Sequence, residues 1–458
     1  MPGTDTRCFQ CRQLRVCLCF LKLDHMQASR IRSLSTTHIA LIIFSLSFAI
    51  YAFSPQGSPT AYNLQQAGEV ARVSISVAER GTFTDPFYSL PTGFTAHVAP
   101  AYVFVYAAVA KLFGEGPAGA ITLRLLNIGF LAFQMALLPM LSEDLGLGIM
   151  PGLCAAVFGV IVQPYRVLPV WESLFTGALI VLLCVLTLPY FKSPRDWQHS
   201  TLLGFLWGVA ILASPLCVLL LIAWSHIAAM ENSPEQLARA RRAMLVVVAG
   251  AAITCLPWFI RNYQRFHAVF FVRDNFGLEL FTSNNACAQS TMLENFNSRC
   301  HFKTHPNPNP DISGELIDKG EIQFNREKLH QALAWISANP RAFAWLTARR
   351  ILRFWFPYLG GLRYAIPTGA LTILSLIGLA MMFRNHRRAA LMLGSTLLLY
   401  PLVHYVVQFE ARYRYPIFWA TFLPAGYAVV EALRWLRKTP QANVSTPNGQ
   451  NEMVGVLK

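Results

Sequence analysis

Long apolar runs recur along most of the chain and alternate with short polar segments. Most runs contain roughly 17 to 25 residues, which is enough for a helix to cross a hydrocarbon core about 30 Å thick. They lie near residues 37–53, 98–114, 120–141, 149–165, 171–190, 200–228, 244–262, 366–383, 389–407 and 417–436. The pattern predicts an all-α polytopic membrane protein with about ten transmembrane helices.

Basic residues between the runs favour one orientation in the membrane. Four clusters fall on the same side of the predicted crossings, and the positive-inside rule makes that side cytoplasmic. The clusters are Arg30 and Arg32; Arg239, Arg241 and Arg242; Arg384, Arg387 and Arg388; and Arg434, Arg437 and Lys438. Both termini are then cytoplasmic, and residues 54–97 and 263–350 face outward. Lys192 and Arg195 would also lie outside, which counts against this scheme.

Both outward segments contain helical periodicity. In the first, an apolar face runs from Val70 to Val77 and Gly81 stops the helix. In the second, residues 314–350 have the pattern of two amphipathic helices broken at Asn339-Pro340. The first outward loop is therefore predicted to carry an amphipathic helix, and the second outward segment to be mostly helical.

The ten cysteines fall into three groups. Cys287 and Cys300 share one polar outward loop, which makes them a candidate disulfide. Four others lie in the first 25 residues, where three explanations stay open: a zinc site, an interfacial tail, and an upstream extension if translation starts at Met26. The remaining four lie inside apolar runs.

Composition excludes several classes of protein. Hydrophobic residues make up 54% of the chain, charged residues 13%, and the mean hydropathy is +0.40, whereas a soluble chain carries about 25% charged residues. The net charge of +15 is better explained by membrane topology than by nucleic acid binding. No phosphate-binding loop, HExxH or GxSxG motif occurs, so ATP-driven transport, zinc proteolysis and serine hydrolysis lack their usual parts.

Three polar residues of the first outward segment are candidate site residues, because ionisable groups beside hydrocarbon are costly. Glu69 begins the predicted helix, where it either faces a membrane-level cavity or only favours the helix dipole. Asp85 precedes a proline, and turn chemistry alone is an alternative explanation. His97 directly precedes an apolar run, where it either anchors the interface, orients a phosphate or binds a divalent metal.

Other charged candidates lie at the ends of apolar runs. Arg124 and Glu172 each begin one, and both could be headgroup-level caps instead. Near the C-terminus, the sequence FEARYRYP places Arg412 and Arg414 beside Glu410 at an outward boundary. Arginines there are on the wrong side for the positive-inside rule, so binding of an anion is the better explanation.

A carboxylate base together with arginines suits one chemistry in particular. The carboxylate can deprotonate an acceptor hydroxyl, which attacks an anomeric carbon while a lipid phosphate leaves. Arginine or a metal would stabilise the charge of the leaving phosphate. Sugar transfer from a lipid phosphate needs no nucleotide-binding domain, which agrees with the absence of the corresponding motifs.

Several segments resemble a known family of C-class glycosyltransferases: the bacterial relatives of the dolichyl-phosphate-mannose protein mannosyltransferases, which include the lipid A aminoarabinose transferases. The resemblance covers about residues 37–436. It rests on GEVARVSISVAERGTF, TAHVAPAY and KLFGEGPAGAITLRLLN in the first half, and on PWFIRNYQRFHAVFFVRDNFGLELFTSNN, NPRAFAWLTARRILRFW and FEARYRYP in the second.

The resemblance implies roles for particular residues. Glu69 takes the acidic position of the first loop and is the expected general base. His97 and Arg124 match further motif positions, and Glu172 resembles a second cavity acid, although the count of crossings puts it at a cytoplasmic helix end. The family's usual acidic pair is reduced to Gly68-Glu69, and its double proline to Ala99-Pro100. These departures weaken the case for a divalent metal, for which His97 is the candidate ligand.

The expected function is transfer of a sugar from a polyprenyl-phosphate donor to a glycan, lipid or protein acceptor on the outer face of a bacterial inner membrane. No other cofactor and no nucleic acid is expected. The predicted parts are a cytoplasmic tail (1–36), a transmembrane glycosyltransferase module (37–262) with an outward loop (54–97), an outward, mostly helical segment (263–365), C-terminal transmembrane helices (366–436) and a cytoplasmic tail (437–458). A secondary transporter or lipid flippase and a nonenzymatic scaffold are the alternatives.

Overall fold

The computed structural model describes residues 35–53, 68–162, 172–192, 197–230, 234–357 and 362–438. These residues are almost entirely helical, and their only β structure is two isolated bridges, Thr84 with Phe94 and Thr291 with Phe409. The helices are α1 (Thr36–Ala52), α2 (Glu69–Arg80), α3 (Pro100–Phe113), α4 (Pro117–Asp144), α5 (Ile149–Val162), α6 (Ser173–Lys192), α7 (Trp197–Ala213), α8 (Cys217–Met230), α9 (Pro234–Phe266), α10 (Phe276–Ser283), α11 (Met292–Asn297), α12 (Cys300–Thr304), α13 (Pro310–Lys319), α14 (Glu321–Ala338), α15 (Pro340–Trp355), α16 (Leu362–Asn385), α17 (Arg387–Leu399), α18 (Leu402–Val406), a 3-10 helix (Ala411–Ile417) and α19 (Phe418–Lys438).

Apolar helices make up most of the bundle. Within the described residues, five stretches are long and apolar enough to cross a membrane: Pro117–Asp144, Leu237–Phe266, Ala365–Asn385, Arg387–Val406 and Ala411–Arg437. Shorter apolar helices pack against them: α1 lies on α4, and α5 lies between α4 and α19. The protein is therefore an all-α polytopic membrane protein, as the sequence predicts.

Several helices end or begin at one level of the bundle. Tyr51, near the end of α1, donates a hydrogen bond to the carbonyl of Gly159, near the end of α5 (2.8 Å). Gln134 of α4 donates to the carbonyl of Leu174, at the start of α6 (3.1 Å). Gly159 also packs against Met135 of α4, so α1 and α5 end where α6 begins. We call this the loop end of the bundle, and the opposite end the basic end.

The helix α3 lies at the loop end and does not cross the bundle. The first part of α4 projects beyond the level at which α1 and α5 end, and α3 lies beside it, with the Asn127 side chain donating to the Tyr102 hydroxyl (3.0 Å). The helix α3 packs on α2, and α4, which follows α3 after three residues, begins at this same end. The predicted crossing at residues 98–114 is therefore wrong.

A second correction concerns the long apolar run at 200–228. It forms two antiparallel helices, α7 and α8, which are joined by a turn closed by a hydrogen bond from the Cys217 N–H to the Ser214 carbonyl (3.0 Å). Trp207 and Trp224 contact each other across the pair, with ring centroids 5.4 Å apart. In the sequence this half-buried turn is marked only by Ser214-Pro215, a turn-forming pair inside an otherwise apolar run.

One correction removes a crossing and the other adds one, so the number of crossings is unchanged. The helices between α3 and α7, however, run in the direction opposite to the one predicted. Glu172 directly precedes α6 and therefore lies at the loop end, whereas the sequence-based count placed it at the cytoplasmic end of its helix. Lys192 closes α6 at the basic end, and Arg195 lies outside the described residues. Lys192 therefore no longer contradicts the predicted membrane orientation.

The basic clusters of the described residues gather at the basic end. α9 runs parallel to α7, with Gly204 against the backbone of Val247, so its first turns, which contain Arg239, lie at that end. α19 runs antiparallel to α5, with Gly426 against the carbonyl of Pro151. The cluster at Arg384, Arg387 and Arg388 and the cluster at Arg434, Arg437 and Lys438 share this end, while Arg30 and Arg32 lie outside the described residues.

A layer of shorter helices covers the loop end. The first-loop helix α2 begins at Glu69 and ends before Gly81, which has the left-handed φ of 67° that favours glycine. In the second segment, α14 ends at Ala338 and α15 begins at Pro340, which confirms the predicted break. Phe87, Leu278, Leu316 and Phe324 form a separate small core that joins the two segments.

Candidate active site

The N-terminus of α2 presents Glu69 at the loop end. Gly68, with a φ of 84°, makes the turn into the helix, and its N–H donates to the Tyr88 hydroxyl (2.9 Å). The Arg72 guanidinium lies over the ring of Tyr88, 4.9 Å from its centroid. The glycine permits a backbone turn that other residues adopt only with strain, so Gly68 and Tyr88 together fix the direction from which the half-buried Glu69 enters the site.

His97 is buried at the bottom of this site, with 4% of its surface exposed. Its ring packs edge-on against Phe87, with centroids 5.0 Å apart. Burial first, and then the charge of Arg273, hold the pKa of His97 well below its usual value. The imidazole is therefore neutral at pH 7 and can accept a hydrogen bond or ligate a metal.

Two further histidines approach from the second outward segment. His301 lies within α12 and His305 directly follows it, and both are buried. Their rings stack 4.6 Å apart. Burial lowers the pKa of each to about 3. A disulfide joins Cys300, the first residue of α12, to Cys287, so the two histidines sit on a covalently tethered turn.

The two outward segments bring a metal-ligand set together. One ligand atom from each of Glu69, His97 and His305 lies within 4.8 Å of the others. A fourth polar group, the Glu279 carboxylate of α10, lies 4.0 Å from the Nε2 atom of His97. Burial first, and then the charge of Glu69, raise the pKa of Glu279 to about 7.

Two arginines supply positive charge to the same site. The Nε of Arg273 donates to the carbonyl of His97 (2.9 Å), and the Nε of Arg412 donates to Glu410 (2.5 Å). Both act electrostatically on His97 and Glu279. Since arginine cannot lose its proton in a protein, the site keeps two fixed cations beside its carboxylates.

Glu172 belongs to this electrostatic environment. Its charge and that of Glu69 both act on Arg412, which agrees with its place at the loop end. The Oε2 atom of Glu172 is buried and has no hydrogen-bond partner among the described residues. Of the residues predicted from sequence, the structure thus brings together Glu69, His97, Glu172 and Arg412.

Three other predicted residues make different contacts. Asp85 has a φ of 59° and accepts from Arg80 (2.6 Å) and from the Gly93 N–H (2.8 Å). Burial raises the pKa of Asp85, but these hydrogen bonds and that of Thr84 outweigh it and hold the pKa below its usual value. These contacts are those of a turn.

Arg414 is held within the fold by hydrogen bonds from its terminal guanidinium nitrogens. Its guanidinium donates to the carbonyl of Trp355 (2.9 Å) and to the hydroxyl of Thr372 (2.8 Å), so it ties α15, α16 and the 3-10 helix together. Arg124 lies half-buried on the projecting part of α4 and makes no ion pair with a described residue. Substrate binding by Asp85, Arg124 and Arg414 stays a prediction.

Sequence reasoning missed several groups of the site. Arg273 and Glu279 lie in the quoted segment FFVRDNFGLELF, but nothing in its spacing sets them apart from surface charges. The sequence CHFKTHP carried a usable signal, because two histidines four residues apart share a helical face, and one is adjacent to a disulfide cysteine. The proximity of His305 to Glu69 depends on tertiary structure alone.

Comparisons with known proteins identify the fold. No protein-family profile and no curated protein matches the chain. The oligosaccharyltransferase of Archaeoglobus fulgidus, solved with a tethered acceptor peptide containing the NVT sequon, matches with a TM-score of 0.57 at 13% identity, over 88% of this chain and 50% of its own. AglB of the same organism, in complex with an inhibitory peptide and a dolichol-phosphate, matches with a TM-score of 0.50 at 13% identity, over 91% of this chain and 52% of its own.

The chain thus spans about half the length of these oligosaccharyltransferases and shares their membrane fold. ArnT from Cupriavidus metallidurans is a looser match, with a TM-score of 0.33 at 14% identity, over 88% of this chain and 78% of its own. At these identities the likeness shows fold and not activity.

Proposed function

We propose that this protein is an integral-membrane glycosyltransferase that moves a sugar from a polyprenyl-phosphate donor to an acceptor hydroxyl. The observation that carries the proposal is the Glu69 carboxylate at the loop end, within electrostatic reach of Arg412. The fold is shared with solved structures of archaeal oligosaccharyltransferase, one with a dolichol-phosphate and one with an acceptor peptide, and this supports the proposal.

In the proposed reaction Glu69 is the general base. Its carboxylate takes the proton of the acceptor hydroxyl while the acceptor oxygen forms a bond to the anomeric carbon. The bond from that carbon to the phosphate oxygen breaks, and its electron pair stays on the lipid phosphate. Arg412 and Arg273 lie where they can stabilise the phosphate charge, in a partly buried site where such interactions are stronger than in water.

The site faces outward in this proposal. The basic clusters at the opposite end of the bundle, including those around Arg239 and Arg384, favour a cytoplasmic basic end by the positive-inside rule. The loop end then lies at the outer face of a bacterial inner membrane, and both termini are cytoplasmic. A polyprenyl-phosphate donor reaches the loop end from the bilayer, and a glycan, lipid or protein acceptor reaches it from the aqueous side.

A divalent metal is an additional element of the proposal. Glu69, His97 and His305 would hold it, and two neutral imidazoles with one carboxylate suit zinc or a similar ion. When bound, such an ion would supply Lewis-acid stabilisation of charge. The Nδ1 atom of His305 accepts from the Asn307 N–H (3.0 Å), so its neutral ring carries the proton on Nε2. Ligation through Nε2 would require the imidazole proton to move to Nδ1, which breaks this hydrogen bond.

The test is a mass-spectrometric profile of polyprenyl-phosphate lipids from cells that lack the protein, complemented with wild type, Glu69→Gln or Glu79→Gln. We expect a monosaccharide-linked polyprenyl phosphate to accumulate, and wild type and Glu79→Gln to clear it. Glu69→Gln should lose about 10²- to 10⁴-fold in transfer rate, as expected for a general base. Glu79 is the matched control, since it is an exposed carboxylate on the same helix.

Two outcomes would contradict the proposal. Clearance of the lipid by Glu69→Gln at the wild-type rate would remove the general base. An unchanged profile of lipid-linked sugars in every strain would instead favour the secondary transporter or flippase, for which movement of the lipid between leaflets is the readout.

A further inference from the structure

Residues 95–97, which we call the His97 segment, have every backbone polar group hydrogen-bonded. Buried backbone groups need such partners, and here each pairing also fixes the position of the chain. The pairs are Thr95 N–H to the Phe83 carbonyl (3.2 Å), Arg261 to the Thr95 carbonyl (2.9 Å), Ala96 N–H to the Glu321 carboxyl (2.6 Å), Asp274 N–H to the Ala96 carbonyl (3.1 Å), His97 N–H to the Thr95 hydroxyl (2.9 Å) and Arg273 to the His97 carbonyl (2.9 Å).

Among these partners, Glu321 is the only carboxyl and the only residue from the α13–α14 helices. Its Oε1 atom accepts from the Ala96 N–H, and its carboxyl is also hydrogen-bonded to the Thr95 side chain. Since the Thr95 hydroxyl in turn accepts from the His97 N–H, a continuous path of hydrogen bonds runs from Glu321 to the backbone of His97.

The position of Glu321 is itself fixed by packing. It is the first residue of α14, directly after Gly320, at the junction with α13. One turn later Phe324 is fully buried in the small core with Phe87. The Asn325 side chain accepts from the Leu278 N–H (3.2 Å), one residue before Glu279. The same helix therefore braces both the His97 segment and the helix that carries Glu279.

Glu321 is an unusual choice for a merely structural acceptor, because it is 7% exposed and a buried carboxylate is costly. Burial raises the pKa of Glu321 to about 8, with the nearby charge of Asp274 in the same direction and hydrogen bonds from Thr95 and Ala96, together with Arg261, opposing. At pH 7 the carboxyl is mostly neutral, and a neutral amide is its natural mimic.

We propose that Glu321 is a positioning residue, whose carboxyl holds the His97 segment in register with the α13–α14 helices so that His97 stays aligned with Glu69. This role in catalysis rests on the proposed function, whereas the mechanical link between α14 and the His97 segment does not. Glu321 touches no reacting atom, and its effect reaches the site through the backbone of residues 95–97.

The test combines amide hydrogen exchange with steady-state kinetics on the full chain in lipid nanodiscs. Glu321→Ala removes the acceptor, and Glu321→Gln keeps it without charge. Glu327→Gln is a control on the same helix, because the half-buried Glu327 carboxylate pairs with Lys319 and Gln323 and not with the His97 segment. We expect Glu321→Ala to exchange the peptide containing Ala96 at least about tenfold faster and to lower kcat about 10- to 100-fold with the donor KM unchanged. Glu321→Gln and Glu327→Gln should match wild type in both measurements.

Thr95→Val provides a second variant that conserves side-chain volume, in case Glu321→Ala does not fold. It removes the hydroxyl between Glu321 and His97 and should shift both readouts in the same direction as Glu321→Ala. Wild-type exchange in Glu321→Ala or in Thr95→Val would overturn the link. Faster exchange with an unchanged kcat would overturn the positioning role, as would a Glu321→Gln variant as impaired as Glu321→Ala. A wild-type chain without transfer activity would refute the proposed function alone, because the exchange measurement still decides the link.

Discussion

The distinctive property of the site at the residue scale is that its carboxyl groups differ in environment. Glu279 lies among both signs of charge, with Glu69 and Glu410 raising its pKa and Arg273 and Arg412 lowering it, but burial dominates. A carboxyl with a pKa near 7 can exchange a proton at neutral pH.

The raised pKa of Glu279 predicts a pH-dependent stability. Because its pKa is about 7 in the folded state and 4.5 as a free side chain, the neutral carboxyl's contribution is complete below pH 4.5 and is lost as the pH rises to about 7. Glu279→Gln, which stays neutral, should therefore be more stable than wild type at pH 8 by about 1 to 3 kcal/mol. The apparent Tm in detergent at pH 8 and pH 5 checks this, and an equal difference at both pH values would contradict it.

At the scale of elements, the sequence predicts the helices well but not which of them cross the membrane. One face of α3 is buried in protein, with Tyr102, Val103 and Tyr106 inaccessible to solvent, and apolar composition does not distinguish protein from lipid surroundings. The turn between α7 and α8 is marked only by Ser214-Pro215, because the residues on both sides of it are apolar. The amphipathic helices α2, α14 and α15 were predictable, since their polar faces and their glycine and proline boundaries are local features.

The tethered turn α12 gives an element-scale prediction. The disulfide between Cys287 and Cys300 closes a loop with a sequence separation of 13, for which chain entropy alone gives about 3 kcal/mol. The double variant Cys287→Ser/Cys300→Ser should lower the apparent Tm and loosen His301 and His305. Reduced wild type should behave in the same way, as measured by Tm and by hydrogen exchange of residues 300–305.

The control for this prediction is reductant added to the double variant, which should change nothing further. The four free cysteines of the described residues lie in apolar helices, so they are not expected to respond. A reduced wild type with an unchanged Tm and unchanged exchange at His305 would show that packing, and not the disulfide, holds the turn.

For the whole molecule, the candidate site could be predicted from the sequence only where one segment carries the signal. Glu69 and His97 stand out as polar groups beside apolar runs, and Arg412 as a cation on the unexpected side of the membrane. His305, Glu279 and the other partners that the second segment contributes are ordinary polar residues until the chain folds. The membrane side of Glu172 was predicted wrongly because of the false crossing at α3. One false crossing reverses the predicted side of every later segment until a second error restores it.

The two topologies place the ends of α3 and α4 on opposite sides of the membrane, which makes them testable. The structure puts Lys111 at the loop end and Glu143 at the basic end, and both residues are exposed, whereas a crossing at 98–114 would put Lys111 near the cytoplasm and Glu143 outside. With the basic end cytoplasmic, a membrane-impermeant maleimide added to spheroplasts should label Lys111→Cys and not Glu143→Cys, relative to the unsubstituted chain. Permeabilisation should make Glu143→Cys reactive, which shows that side and not burial protects it. Labelling of Glu143→Cys alone in intact spheroplasts would restore the crossing at α3 and move Glu172 away from the outward site.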